Sequence, residues 1–296
     1  MNPPTATQPV CARSRHPALR RRLRVWLLLA GTLAAVAGGV AARVITEPRP
    51  SCQQALVPAY FYQGADWTTA IESKPPPRFM ILDITGSGAG SSPDRNYQAA
   101  VERARAAGIT IVGYSDTDYT RRPAATVESD VAHYKSWYGV TDIFLDGVSA
   151  GNGGLPYYRQ LSDYIHAANP GSVVILNPGV YPDQSYLSIG DIVLVFEGSY
   201  AEYGNLKVPA WADDYPAGKF AYVIYGAARS QLNAAISTSR RRHAGYVYVT
   251  ANTGANPYSS MPSYWTSENA IIAACGGLPA GVALAREGLE AKGSSG

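Results

Sequence analysis

Two carboxylic acids and a set of tyrosines are the residues of this sequence best placed to do chemistry. Asp146 closes the run Asp142-Ile143-Phe144-Leu145, and Glu197 closes Ile192-Val193-Leu194-Val195-Phe196. A glutamate at the end of so apolar a run is costly to bury unless it is used or held protonated. Six other apolar runs end in polar groups as well: Tyr60 with Tyr62, Asp83 with Thr85, Asp116, Asn177, Tyr225, and Thr250 with Asn252. Tyr114, Tyr119, Tyr200, Tyr258 and Trp265 fall in or just after the same run ends. Two carboxyl groups held about 5–5.5 Å apart, or about 6.5–9.5 Å apart, are the equipment for glycosidic hydrolysis with retention or inversion. One acid must then be protonated near neutral pH and the other ionised. Glu197 is the candidate for the proton and Asp146 for the charge. Aromatic faces with polar tips suit stacking on sugar rings, although each tyrosine alone reads equally well as packing. For Asp116 the preferred reading is a cap on the following turn. Asp83 is balanced between a cap and a barrel acid.

Those residues need a scaffold that brings eight run ends to one level. The runs cover 57–62, 79–86, 110–116, 142–147, 173–179, 192–198, 220–226 and 245–251, and most are continuously apolar, as strands covered by helices are. Between them lie helical stretches. In the second unit Ser92 is the expected N-cap, Pro93 the first helical residue and Gly108 the stop, with Tyr97, Ala100, Val101 and Ala104 on one face. Segments 124–138, 156–168 and 229–243 read likewise. Alternating strands and helices mean a parallel sheet, and eight units favour closure into a single-domain (β/α)8 barrel, whose chemistry sits at the C-terminal strand ends. Alternation along 192–198 places Val193, Val195 and Glu197 inward and Ile192, Leu194 and Phe196 outward. In 142–147, Asp146 is expected to point inward with Phe144.

The chain has 296 residues and a net charge of +3, but residues 1–50 hold eight arginines against Glu47 alone, leaving 17 basic and 21 acidic residues in the remainder. So mildly acidic a body lacks the broad basic face expected of a nucleic-acid binder. The run Arg240-Arg241-Arg242-His243 instead closes a helix, where cations complement the dipole. Residues 1–24 form a basic n-region, residues 25–42 a charge-free signal peptide or signal anchor, and 43–54 a linker to a catalytic barrel over 55–289, with a flexible tail at 290–296. The body is therefore expected outside the cytoplasm, secreted or membrane-anchored through 25–42. A disulfide between Cys52 and Cys275 fits that compartment, because a closed barrel brings first and last elements together. No ligand spacing for a metal is present, and no cofactor is expected.

Several stretches resemble the spherulin-4, or spherulation-specific, family. They are Val57-Pro58-Ala59-Tyr60-Phe61-Tyr62, Gly86-Ser87-Gly88-Ala89-Gly90, Gly113-Tyr114, Ile143-Phe144-Leu145-Asp146, Leu176-Asn177-Pro178-Gly179 and Val195-Phe196-Glu197, spread over about residues 55–275. The resemblance implies a (β/α)8 fold and endo-acting hydrolysis of an N-acetylgalactosamine-containing or related cell-surface polysaccharide. Asp146 would be nucleophile or stabiliser, Glu197 the general acid/base, and Tyr60, Asp83, Tyr114, Asp116, Asn177, Tyr225, Asn252 and Tyr258 the substrate-binding residues. The family pattern has Asp-Glu at the end of the fourth strand, where this chain has Asp146-Gly147, and Asp83 stands where Asn is usual. Gly147 keeps open an alternative, a carbohydrate-binding barrel that has lost turnover.

Overall fold

The computed structural model describes residues 52–274. Eight parallel strands close into a barrel in sequence order: β1 (Gln54–Ala59), β2 (Phe79–Leu82), β3 (Thr110–Asp116), β4 (Asp142–Asp146), β5 (Val174–Leu176), β6 (Ile192–Ser199), β7 (Phe220–Tyr225) and β8 (Tyr246–Val249). Helices α1 (Ala65–Glu72), α2 (Arg95–Ala106), α3 (Ala124–Tyr138) and α4 (Leu155–Ala168) follow the first four strands. The later connections carry α5 (Tyr200–Gly204), α6 (Leu232–Arg241) and α7 (Trp265–Ala273). The β5–β6 link holds only a 3-10 helix, Gln184–Ser188, in place of an α-helix.

The strands follow the apolar runs, with differences that have causes. β1 starts at Gln54, inside the expected linker, because Gln54 and Ala55 pair with Tyr246 and Val247 to close the barrel. It therefore ends at Ala59 and releases Tyr60 toward the mouth. Helix α2 is capped by Asp94 and not by Ser92: its side chain accepts the Asn96 N–H at 2.7 Å, so Pro93 precedes the cap. Its buried face is Tyr97, Ala100, Val101 and Ala104, as the helical period requires. Gly108 follows the helix at φ +87°, a conformation that favours glycine.

Strand β6 departs most from simple alternation. Phe144 stacks on Tyr114 inside the barrel, Ile175 pairs with Phe144 and Ile192 with Ile175, so Ile192 and Leu194 face inward. Val193 pairs with Phe220, which packs against Trp211 and Tyr215 of the β6–β7 connection, so Val193 faces outward. Leu194 and Phe196 oppose the consecutive residues Ala221 and Tyr222, leaving Val195 as the extra residue of a bulge. Beyond it Phe196 turns out against Tyr203 of α5, and Glu197 turns in. The expected facing holds for Phe196 and Glu197 and is reversed for Ile192, Val193 and Leu194. Without the bulge the same parity would point Glu197 at the helices; the inserted residue re-aims it.

Cys52 is disulfide-bonded, and Cys275, its expected partner, lies outside the described residues. So do the segments 1–24 and 25–42 and the tail 290–296. No helix among the described residues is long and apolar enough to cross a membrane.

Candidate active site

The site is built around one amide. The Asn177 side chain leaves the end of β5 between the two carboxyl groups and donates from Nδ2 to Asp146 Oδ1 at 2.7 Å and to Glu197 Oε2 at 2.6 Å. Its orientation is fixed, because its Oδ1 accepts the Gly179 N–H at 3.0 Å. The two acceptor oxygens share one nitrogen, so they lie at most about 5.3 Å apart, the two bonds laid end to end. Asn177 was expected to meet substrate; it lines the cavity beside the pair and also bridges the two acids.

Each acid has a different set of further partners. Asp146 Oδ2 accepts the Tyr114 hydroxyl at 2.6 Å, so both its oxygens are hydrogen-bonded. Burial pushes its carboxyl up from the ordinary range. The Tyr114 hydroxyl, the Gly147 N–H and Asn177 oppose that shift, and the Asp116 charge adds to it. Burial likewise pushes Glu197 up; Asn177 and the Tyr258 hydroxyl oppose this, and the Asp146 charge adds to it. Glu197 Oε1 has no hydrogen-bond partner among the described residues, whereas Oε2 is occupied. Of this coupled pair, Asp146 has the fuller set of donors, which favours the anion there over Glu197.

Asp83 and Asp116 behave as turn caps that stand close to the pair. Asp83 Oδ1 accepts the Gly86 N–H at 2.7 Å, and burial raises its pKa against that bond. Asp116 is the cross-strand partner of Asp146, and its Oδ1 accepts the Asp118 N–H at 2.9 Å. Unlike Asp83, Asp116 also lines a cavity of about 510 Å³ shared with Asp118, Tyr119, Asp146, Gly147, Asn177 and Glu197. Gly147 sits at φ +59°, and a Cβ there would lie 2.8 Å from Asp116 Oδ1 and 3.3 Å from the Asp118 nitrogen. The Tyr119 N–H is bonded to the Gly147 carbonyl at 2.8 Å, so the β3 loop closes over this position. Both the backbone and the space at residue 147 call for glycine.

A second cavity of about 350 Å³ opens on the other side of Glu197, lined by Tyr60, Tyr225, Asn256 and Tyr258 among others. Tyr60, Tyr114, Tyr225 and Tyr258 are thus brought to the pair. Asn252 is not: its amide donates to the Ser260 carbonyl and hydroxyl at 3.2 and 3.1 Å and lines neither cavity. The loop after β8 folds back on itself and uses that side chain as a brace. Trp265 is buried in α7 against Tyr248, and the Tyr62 hydroxyl bonds Asp94 and Asn96 outside the mouth. Asp118 and Asn256 line the cavities without having been singled out; their only sequence signal was a position in loops that follow β3 and β8. No group of three or more metal-ligating side chains occurs among the described residues.

The family model described as spherulation-specific family 4 matches residues 54–272. The chain is similar to Spherulin-4 of Physarum polycephalum, 30% identical over 284 residues that cover 92% of this chain and 85% of that one. Among solved structures it resembles that of Aspergillus clavatus Sph3 in complex with GalNAc, with a TM-score of 0.66 and 24% identity over 77% of this chain and all of the other.

Proposed function

The chain belongs to spherulation-specific family 4, and from that membership and the geometry of the barrel mouth we propose that it is a glycoside hydrolase of an amino-sugar polysaccharide. The observation that carries the reading is the Asn177 bridge, which holds the Asp146 and Glu197 carboxyl groups within about 5.3 Å oxygen to oxygen. That spacing belongs with the ~5–5.5 Å of retaining enzymes and not with the ~6.5–9.5 Å that leaves room for an attacking water. Glu197 gives its Oε1 proton to the glycosidic oxygen as the C1–O bond breaks. Asp146 bonds to C1 from the opposite face. Water then attacks C1, Glu197 takes its proton, and the Asp146–C1 bond breaks with net retention. The neutral, aromatic cavity beside Glu197 and the GalNAc bound to the Aspergillus protein both favour an amino sugar.

Such polymers lie outside the cell, so the reading includes export directed by residues 25–42, as a cleaved signal or a retained anchor. The disulfide at Cys52 fits an oxidising compartment. A second reading, a sugar-binding barrel without turnover, is favoured by one observation: at residue 147, where the resemblance expects a glutamate, the backbone is left-handed and the neighbouring space is filled by Asp116.

Turnover of galactosaminogalactan and its partly deacetylated forms, read by mass spectrometry of released oligosaccharides, separates the two. Cleavage abolished by Asp146→Asn and by Glu197→Gln in folded protein is the expected result. Polymer binding without cleavage by the parent would replace it with the second reading.

A further inference from the structure

Of the four tyrosines brought to the carboxyl pair, Tyr60, Tyr114 and Tyr258 are not equivalent. Tyr114 is committed to Asp146. The Tyr258 hydroxyl is buried beside Glu197 and faces that carboxyl. Tyr60 stands between them, its ring held edge-on by Tyr114 at 5.5 Å and 75° and by Tyr258 at 5.6 Å and 83°. Only its backbone carbonyl makes a hydrogen bond, to Asn256, so its hydroxyl is uncommitted among the described residues. Burial keeps that hydroxyl a neutral phenol, and the Asp146 and Glu197 carboxyls beside it act in the same direction. It is therefore a fixed neutral donor at the place where a reacting sugar must lie.

The two sides of the mouth differ in chemistry. On the β3–β4 side the cavity is lined by Asp116, Asp118 and Asp146. On the Tyr60 side the lining is Tyr225, Ala255, Asn256, Pro257 and Tyr258, with Glu197 its one ionisable carboxyl. An anomeric carbon placed between Asp146 and Glu197 puts C2 one bond away and its substituent nitrogen two. A neutral acetamido group offers a carbonyl acceptor and a methyl, which match the phenol donor and the Ala255 and Pro257 side chains of that recess. A free ammonium has no acceptor for that hydroxyl's proton and can meet Tyr60 only by donating to the phenol oxygen or lying on its ring.

We propose that Tyr60 reads the C2 substituent of the reacting sugar, its hydroxyl donating to the carbonyl of an acetamido group seated in the 350 Å³ cavity. The assignment rests on the proposed function for the placement of C1 and names the residue that selects acetylated over free amino sugar. Tyr60→Phe removes the hydroxyl and keeps both edge-on ring contacts.

The test is calorimetric titration of the full chain and of Tyr60→Phe with an α-linked N-acetylgalactosamine oligosaccharide and with its de-N-acetylated counterpart, beside turnover of each. The expected result is an affinity for the acetylated ligand lowered about tenfold, the scale of one neutral hydrogen bond, with a smaller loss for the free-amine ligand, so that the parent's discrimination narrows. Unchanged discrimination, an equal loss for both ligands, or a parent that does not prefer the acetylated ligand would overturn the assignment. A parent that shows the preference and the Tyr60 effect but cleaves neither ligand keeps Tyr60's role while removing the hydrolase. Cleavage with unaltered discrimination in Tyr60→Phe removes this inference alone.

Discussion

Replacing Tyr114 by phenylalanine should move the acidic limb of the pH–rate profile toward neutrality. The Tyr114 hydroxyl donates to Asp146 Oδ2 at 2.6 Å, and that bond favours the ionised carboxylate that the reaction needs. A hydrogen bond to a charged group is worth roughly 1.5–3 kcal/mol, and about 1.36 kcal/mol corresponds to one pH unit. The variant should therefore raise the Asp146 pKa by about one to two units, the lower figure if water takes the vacated position. Because activity requires Asp146 without its proton, the loss on acidification begins at higher pH, while the alkaline limb set by Glu197 stays nearly in place. The ring contacts with Phe144 and Tyr60 survive the substitution, so the fold is not the variable. The assay is kcat/KM against pH for parent and variant, with thermal melting as control. An acidic limb that stays put, or moves down, refutes the assignment of Asp146 as the anionic partner.

Further consequences concern the same elements. Gly147→Ala should destabilise by at least the ~1–2 kcal/mol of a left-handed residue, since its Cβ also meets Asp116 Oδ1 at 2.8 Å; an unchanged denaturant midpoint would contradict this. Asn177→Ala should lower kcat about 10²-fold, the scale of one preorganised donor, with folding retained; full activity would show that the bridge does not set the pair. Glu268 is fully buried and donor-paired only through Oε1 to the Val249 N–H at 2.7 Å, so burial raises its pKa well above the usual range. Its contribution to stability is intact below the ordinary Glu range and is lost as pH climbs from there through the raised folded value, at up to ~1.4 kcal/mol per pH unit. Glu268→Gln keeps the acceptor and should flatten that decline, as read from melting temperature against pH; an unaltered slope would sink the point.

What could be read from the sequence follows from which forces are local. Periodicity placed all eight strands and the buried face of α2, because apolar burial repeats with the backbone period. Run-end position found Asp146, Glu197, Tyr60, Tyr114 and Tyr258. The bulge at Val195 left no trace in composition: a register shift is decided by the neighbouring strand, so alternation reached the right facing for Glu197 and the wrong one for Ile192, Val193 and Leu194. Asn177 was visible as a polar strand end, but its task depends on three strands and on the Gly179 N–H that turns its amide. Asn252 looked the same in sequence, and a loop eight residues later claims it. The glycine at 147 read as a missing acid. In three dimensions it is the position where the loop after β3 lies against the end of β4, which no local pattern encodes.

The most direct test of a close Asp146–Glu197 pair is the configuration of the sugar first released. Proton NMR, recorded as an α-linked N-acetylgalactosamine oligosaccharide is added to the full chain, resolves the new reducing end before mutarotation. With the two acids this close, the α-anomer should appear first and relax toward equilibrium. Initial release of the β-anomer would contradict that expectation, because inversion requires a water between acids that the shared Asn177 nitrogen holds too close.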